Sequence, residues 1–202
     1  MVVLGWFVVA FICGSLPFSV WIGRWRLGLD IRRYGDGNPG TANVFRAGGR
    51  VWGVVALVLD FFKGAIPVGL AQWYAGLSGW PLAIVAIAPI LGHAYSPLLG
   101  FHGGKALAVS FGSWAGLTLW QAPVVLGLSL TFWLGVLSSD GWAVVLGMFS
   151  LLAYLLATGA PDYLLAVWIF NASLLSWKYR HSLRQRPAPR AWLRKLFGTR
   201  IE

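Results

Sequence analysis

Residues 35–46, GDGNPGTANVFR, form the one long polar, glycine-rich stretch between two hydrophobic runs of the chain. Gly35, Gly37 and Gly40 can take backbone angles closed to other residues, so their N–H groups can converge on an anion. Asn38, Thr41 and Asn43 add side-chain donors, and Arg46 adds a fixed positive fork suited to phosphate. The stretch has neither the Gly-Lys-Ser/Thr ending of a P-loop nor Gly-x-Gly-x-x-Gly spacing. It reads as a phosphate cradle or, more plainly, as a tight surface turn rich in Gly and Asn.

A second polar loop, residues 100–105 (GFHGGK), brings Gly103, Gly104 and Lys105 to the start of an apolar segment. A helix N-terminus there would favour an anion and the lysine would add a point charge, although a lysine at a membrane boundary is also ordinary. Asp60 and Lys63 lie inside an apolar run, where ionisable groups are costly and normally face a partner. Being one helical turn apart, they are expected to pair and to support loop residues such as Arg46 from below. His93 lies before the second loop and His181 follows Arg180 near the C-terminus, with His102 the third and last histidine. No spacing among them resembles a metal-ligand motif, so no metal is expected. None has an Asp five residues on, so the chain has no His-x-x-x-x-Asp pair.

These residues need a membrane scaffold. The chain of 202 residues is 58% hydrophobic and 11% charged, where a soluble domain has about 25% charged residues. The expectation is an all-α, polytopic integral membrane protein forming a single domain over residues 1–202. About seven spans are expected, near residues 2–23, 51–77, 81–99, 106–120, 122–137, 142–158 and 163–177. Gly14-Ser15 followed by Pro17 predicts a kink or break in the first, which reads as a retained span and not a leader because Arg24 and Arg26 follow it. The single Cys13 excludes a disulfide framework.

The net charge of +10 reports orientation before any nucleic-acid partner. Six arginines lie in residues 24–50, and seven basic residues follow Lys178 in a basic tail, 178–202. Basic loops stay in the cytoplasm, which puts the N-terminus outside and the C-terminus inside. Both polar loops and the tail then share the cytoplasmic face. Most tail arginines suit an anionic lipid surface.

Together these residues resemble the PlsY family of bacterial acyl-phosphate:glycerol-3-phosphate acyltransferases. Gly14-Ser15-Leu16-Pro17-Phe18 is similar to its first-span motif. Asp30-Ile31-Arg32-Arg33 followed by residues 35–46 is similar to its phosphate loop. Leu59 to Gly64 resembles its Asp/Lys motif, and Gly92-His93 through residues 100–112 its third. The resemblance implies a seven-span fold in the bacterial inner membrane with a cytoplasmic site. It implies transfer of a fatty acyl group from acyl phosphate to the 1-hydroxyl of sn-glycerol 3-phosphate, without metal or coenzyme. On this reading the Gly35–Asn43 backbone and Arg46 hold the acyl phosphate, and Lys105, His181 and Arg184 hold the glycerol phosphate. His93 and Asn43 orient the reacting groups, and the acyl chain lies between spans.

The chain also departs from the family pattern. Asp36 stands where the family usually has serine, Thr41-Ala42 reverses the usual Ala-Thr, and His102 and Ala106 replace Lys or Arg and Gly. Arg184 replaces Asn, and Gly198-Thr199 leads to Arg200 where an acid is usual. A carboxylate in a phosphate loop matters most, since two like charges 4 Å apart repel by about 4 kcal/mol at an effective dielectric of ~20. Asp36 must turn away, pair with Arg32, Arg46 or Lys105, or accept the attacking hydroxyl's proton. The alternative function is a catalytically weak or inactive paralogue that binds phospholipid precursors or a membrane partner. A third reading, a small anion transporter, fits less well, because the chain shows no internal repeat.

Overall fold

The computed structural model describes residues 1–196 and is nearly all helical. The departure at residues 198–200 lies outside the described residues. All seven expected apolar segments are helical. Val2–Arg26, Arg50–Trp73, Gly79–Leu99 and Asp140–Ala157 are long and apolar enough to cross a membrane. The chain forms two compact units, Met1–Trp120 and Gln121 onward.

In the first unit, α1 (Val2–Ser15) and α2 (Phe18–Arg26) are separated at Leu16-Pro17. The break follows from the proline, which removes a backbone donor and clashes with the preceding turn. It leaves carbonyls without helical partners, and side chains collect them: Ser96 Oγ donates to the Ser15 carbonyl at 2.6 Å, and Lys63 Nζ to the Leu16 carbonyl at 2.8 Å. A short 3-10 turn, Ile31–Arg33, and the six-residue helix α3 (Thr41–Arg46) follow, then the long α4 (Arg50–Trp73). α5 (Gly79–Ala94) leads through a second 3-10 turn into the GFHGGK loop, and α6 (Leu107–Thr118) closes the unit. α6 begins two residues after Lys105, so Lys105 precedes the helix and does not open it.

Small residues bring the helices together. A Cβ on Gly64 would lie 2.5 Å from the Val109 carbonyl oxygen, and one on Gly116 would lie 2.6 Å from Val68 Cβ. Gly14 meets the Pro89 backbone, and Gly92 meets that of Phe11. In lipid, where apolar surface gains little by burial against another helix, such close approach supplies the packing. Val20, Ile22, Ile31, Val44 and Ala56 form a buried cluster with Leu27, Leu29, Trp52 and Leu59 beside it. This cluster ties α2, the first 3-10 turn and α3 onto α4, directly under the GDGNPGTANVFR loop.

The second unit contains α7 (Gln121–Val136), α8 (Asp140–Ala157), α9 (Asp162–Lys178), the single turn α10 (Arg180–Leu183) and α11 (Ala191–Leu196). Residues 185–192 of the basic tail fold back on the α7–α8 turn. Leu137 pairs with Pro189 in an isolated bridge, Ser138 N–H donates to the Ala188 carbonyl at 2.9 Å, and Trp142 Nε1 donates to the Gln185 carbonyl at 2.8 Å. Arg190 Nε donates to the Leu137 carbonyl at 3.1 Å.

Candidate active site

Asp36 lies at the centre of the polar loop and does not turn away. Lys105 Nζ lies 2.6 Å from its Oδ2 and Arg46 Nη1 3.6 Å from its Oδ1. Asn43 Nδ2 donates to the same Oδ1 at 3.1 Å, and the Asn38 N–H reaches it at 3.3 Å. Of the three expected basic partners, Arg32 is engaged elsewhere: it forms a bidentate pair with Asp30, Nη2 to Oδ2 being 2.6 Å. Asp30 also caps the 3-10 turn by accepting from the Arg32 N–H at 3.1 Å. The Arg32 guanidinium holds the Asp30 carboxyl down at about 2. For Asp36, burial works to raise the pKa, but the Lys105 ammonium together with the hydrogen bonds from Asn38 and Asn43 outweighs it and the net shift is downward.

The fork of Arg46 is steadied from its own helix, since Nη1 donates to Asn43 Oδ1 at 2.8 Å. Asn43 is buried, and its Nδ2 also donates to the Asn38 carbonyl at 2.9 Å. One asparagine therefore fixes the loop backbone, the arginine and the carboxylate together. Lys105 arrives from the other polar loop, so residues far apart in sequence meet at one carboxylate.

The glycine expectations need correction in detail. Gly35 and Gly37 have φ of +57° and +72°, the left-handed region that favours glycine, but Gly40 has φ −121°, open to any residue. The Gly37 N–H donates to the Tyr34 carbonyl at 3.1 Å and the Gly40 N–H to the Asn38 carbonyl at 2.8 Å. The Gly37 and Gly40 donors thus close turns within the loop. Gly103 and Gly104 serve close approach: the Gly104 N–H donates to the His93 carbonyl at 3.0 Å, and a Cβ on Gly103 would lie 2.8 Å from the Ala94 carbonyl carbon. His93 is buried directly beneath Gly104.

Below the loop lies a second ion pair. Lys63 Nζ is 2.7 Å from Asp60 Oδ1, with both side chains almost fully buried. Asp60 Oδ2 accepts from Ser19 Oγ at 2.9 Å and from Thr41 Oγ1 at 3.2 Å. Support from Asp60 therefore reaches the loop through Thr41 and not through Arg46. It also engages the Thr41 hydroxyl, which the sequence reading offered to phosphate. Asp60, Lys63, His93, Gly104 and Pro39 line a small cavity of about 10 Å³ where the two loops and the broken first helix meet. Ser19 and the Leu16 carbonyl were missed from sequence; the proline break just before Ser19 was the available signal.

His181 and Arg184 belong to the second unit. His181 lies in the single turn α10 and is exposed, and Arg184 follows the turn with its N–H donating to the Arg180 carbonyl at 3.2 Å. In the same unit Ser182 Oγ accepts from the Gly141 N–H at 3.1 Å, fixing α10 on the start of α8.

The profile of the glycerol-3-phosphate acyltransferase family matches residues 4–186. Glycerol-3-phosphate acyltransferase 1 of Thermotoga maritima is 35% identical over 194 residues, covering 88% of this chain and 94% of its own. A glycerol-3-phosphate acyltransferase of Thermus thermophilus is 38% identical over 184 residues, covering 88% of each. Among solved structures, the crystal structure of PlsY (YgiH), an integral membrane glycerol 3-phosphate acyltransferase in its glycerol 3-phosphate form, superposes with a TM-score of 0.83 at 29% identity, covering 96% of this chain and 98% of that one. Its lysophosphatidic acid form gives 0.81 at 28% identity. With most of its length matched in sequence and in helical architecture, the chain belongs to the glycerol-3-phosphate acyltransferase family.

Proposed function

We propose that this membrane protein transfers a fatty acyl group from acyl phosphate to the 1-hydroxyl of sn-glycerol 3-phosphate, giving lysophosphatidic acid for phospholipid synthesis. The observation that carries the reading is the convergence of Lys105, Arg46 and Asn43, from two loops, on one anionic group. A donor set that binds a carboxylate in this way has the charge and geometry to bind a phosphate. Family membership supplies the acceptor: the solved relative is described in glycerol 3-phosphate and lysophosphatidic acid forms.

The chemistry asks for positioning and charge stabilisation. The acceptor hydroxyl attacks the acyl carbonyl carbon, a new C–O ester bond forms, and the bond from that carbon to the bridging phosphate oxygen breaks. Inorganic phosphate leaves, and a phosphate oxygen takes the hydroxyl proton, so no covalent enzyme intermediate is required. In this reading Arg46 and Asn43 hold the acyl phosphate with Gly35, Gly37, Asn38, Gly40 and Thr41 shaping the loop, and Lys105 neutralises the second phosphate. Gly103 and Gly104 let the second loop lie on His93, which fixes the height of Lys105. His181 enters as a ligand of the glycerol phosphate through the family resemblance alone, and Arg184, where the family usually has Asn, through its charge. The basic loop and tail favour a cytoplasmic site in the bacterial inner membrane, with the N-terminus outside, the C-terminus inside and seven crossings. Membrane lipid borders the site and supplies the path for the acyl chain.

The test uses purified protein with palmitoyl phosphate and radiolabelled glycerol 3-phosphate. Lysophosphatidic acid is expected from the wild type and is expected to be lost in Arg46→Ala. Silence from well-folded wild type overturns the reading. The second reading, a weak or inactive paralogue that binds phospholipid precursors, is favoured by one observation: Asp36 already occupies Lys105 and Arg46.

A further inference from the structure

Four donors meet at the Asp36 carboxylate: Lys105 Nζ at 2.6 Å, Asn43 Nδ2 at 3.1 Å, the Asn38 N–H at 3.3 Å and, across a longer ion-pair distance, Arg46 Nη1 at 3.6 Å. These include every side chain of the two loops to which the function above gives a phosphate contact and a charge. A carboxylate and a phosphate present the same face to such donors: terminal oxygens carrying negative charge and accepting two or more hydrogen bonds. The two cannot hold the same donors at once without placing like charges within a few ångströms of each other.

Asp36 is also built to leave. Its side chain is 40% exposed, so the way to solvent is open. It stands between Gly35 and Gly37, both at positive φ, where the backbone has conformations that other residues lack. Two of the donors, Asn43 and Arg46, are held independently of it. Asn43 is fixed by the Asn38 carbonyl, and Arg46 is fixed by Asn43 Oδ1. The cradle thus has its form from other contacts, and the carboxylate is a ligand placed in it.

We propose that Asp36 is an internal competitor for the substrate phosphate: it occupies the Lys105–Arg46–Asn43 donor set in the unloaded protein, is displaced when a substrate phosphate group binds, and thereby sets the affinity of the cradle for phosphate. This inference rests on the reading of the cradle as a phosphate site. It makes Asp36 a determinant of substrate affinity, distinct from a proton acceptor in the reaction. A proton acceptor would lower kcat on removal, whereas a competitor raises apparent phosphate affinity and lowers KM on removal.

The experiment measures binding of inorganic phosphate to the full chain in detergent by titration calorimetry, for wild type, Asp36→Asn and Asp36→Ser. Asparagine keeps the shape and removes the charge; serine removes both the bulk and the charge. The shift of the thermal midpoint with added phosphate is recorded for each, which also establishes folding. Asp36→Asn is expected to bind phosphate about tenfold more tightly or better, with a larger phosphate-dependent thermal shift than wild type. Phosphate affinity unchanged or reduced in folded Asp36→Asn overturns the proposal. Should that variant fail to fold, Asp36→Ser is read by the same criterion. The two readings separate cleanly: tighter phosphate binding without acyl transfer in any variant sinks the enzyme and keeps the competitor. Acyl transfer with unchanged phosphate affinity and unchanged KM for glycerol 3-phosphate in Asp36→Asn does the reverse.

Discussion

Two Asp–Lys pairs lie in the first unit at nearly the same distance, 2.6 Å for Asp36–Lys105 and 2.7 Å for Asp60–Lys63, and they are opposites in every other respect. The upper pair is 40% and 27% exposed, links two loops and is open to solution. The lower pair is 2% and 3% exposed, lies within one helix at i and i+3, and has each partner tied to other elements: Asp60 to Ser19 and Thr41, Lys63 to the Leu16 carbonyl. An ion pair is therefore not a role. A pair open to water contributes about 0–1 kcal/mol and is free to serve binding. A pair withdrawn from water is fixed, because separating it strands a charge where nothing can solvate it.

The comparison breaks most visibly at the lower pair. Asp60→Ala leaves Lys63 buried without its carboxylate and is expected to cost about 3–5 kcal/mol. Denaturation in detergent measures this, and the double variant Asp60→Ala/Lys63→Met is expected to recover most of it. Asp36→Ala, which removes the same carboxylate from the upper pair, is expected to stay within about 1 kcal/mol of wild type. Equal losses at the two sites would erase the distinction.

Arg46→Ala is the next largest, and its effect falls on binding. Loss of a charged donor is expected to weaken phosphate binding about ten- to a hundredfold, equivalent to about 1.5–3 kcal/mol, with little change in thermal stability. Calorimetry against melting temperature separates the two effects. Gly103→Ala drives a methyl into the His93 and Ala94 backbone and is expected to cost about 1–3 kcal/mol. It should also lower acyl transfer by lifting Lys105, a loss read in KM for glycerol 3-phosphate.

The smallest effect belongs to Asp30, another exposed pair. Its carboxyl ordinarily titrates at 3.8 and is held at about 2 by the hydrogen-bonded Arg32. A depressed carboxylate stabilises the fold above its unfolded pKa and loses that contribution as pH falls through the folded one. Amide exchange at Arg32, whose N–H Asp30 accepts, is therefore expected to stay protected down to about pH 3 and to loosen below it. Replacement of Arg32 by Ala moves the loosening upward toward the ordinary value.

Much of this was legible in residue types. The first helix breaks at Pro17, as expected, because proline cannot continue the hydrogen-bond ladder whatever surrounds it. The Asp60–Lys63 pair followed from its spacing and its apolar neighbourhood. The motifs around residues 14–18, 35–46, 59–64 and 92–112 pointed to the family that the comparisons establish. Glycine was the least legible residue. Gly35 and Gly37 are needed for their φ, Gly103 and Gly104 for contact with His93, and Gly40 for neither a special φ nor a free donor. A glycine code says only that a side chain is absent, and which of these reasons applies depends on what lies next to it in space.

Residue types alone settled the class of the molecule. Hydropathy, charge and proline act through the local cost of burying polar groups and of breaking helical hydrogen bonds, and that cost is written residue by residue. Which partner each charge took was settled only by the packing of the chain. Asp36 had Arg32, Arg46 and Lys105 within reach on paper; Arg32 was taken by Asp30 two residues away, and Lys105 was brought in by packing of the second loop on His93. Electrostatic pairing depends on separations of a few ångströms, and only the packed chain sets these between residues distant in sequence.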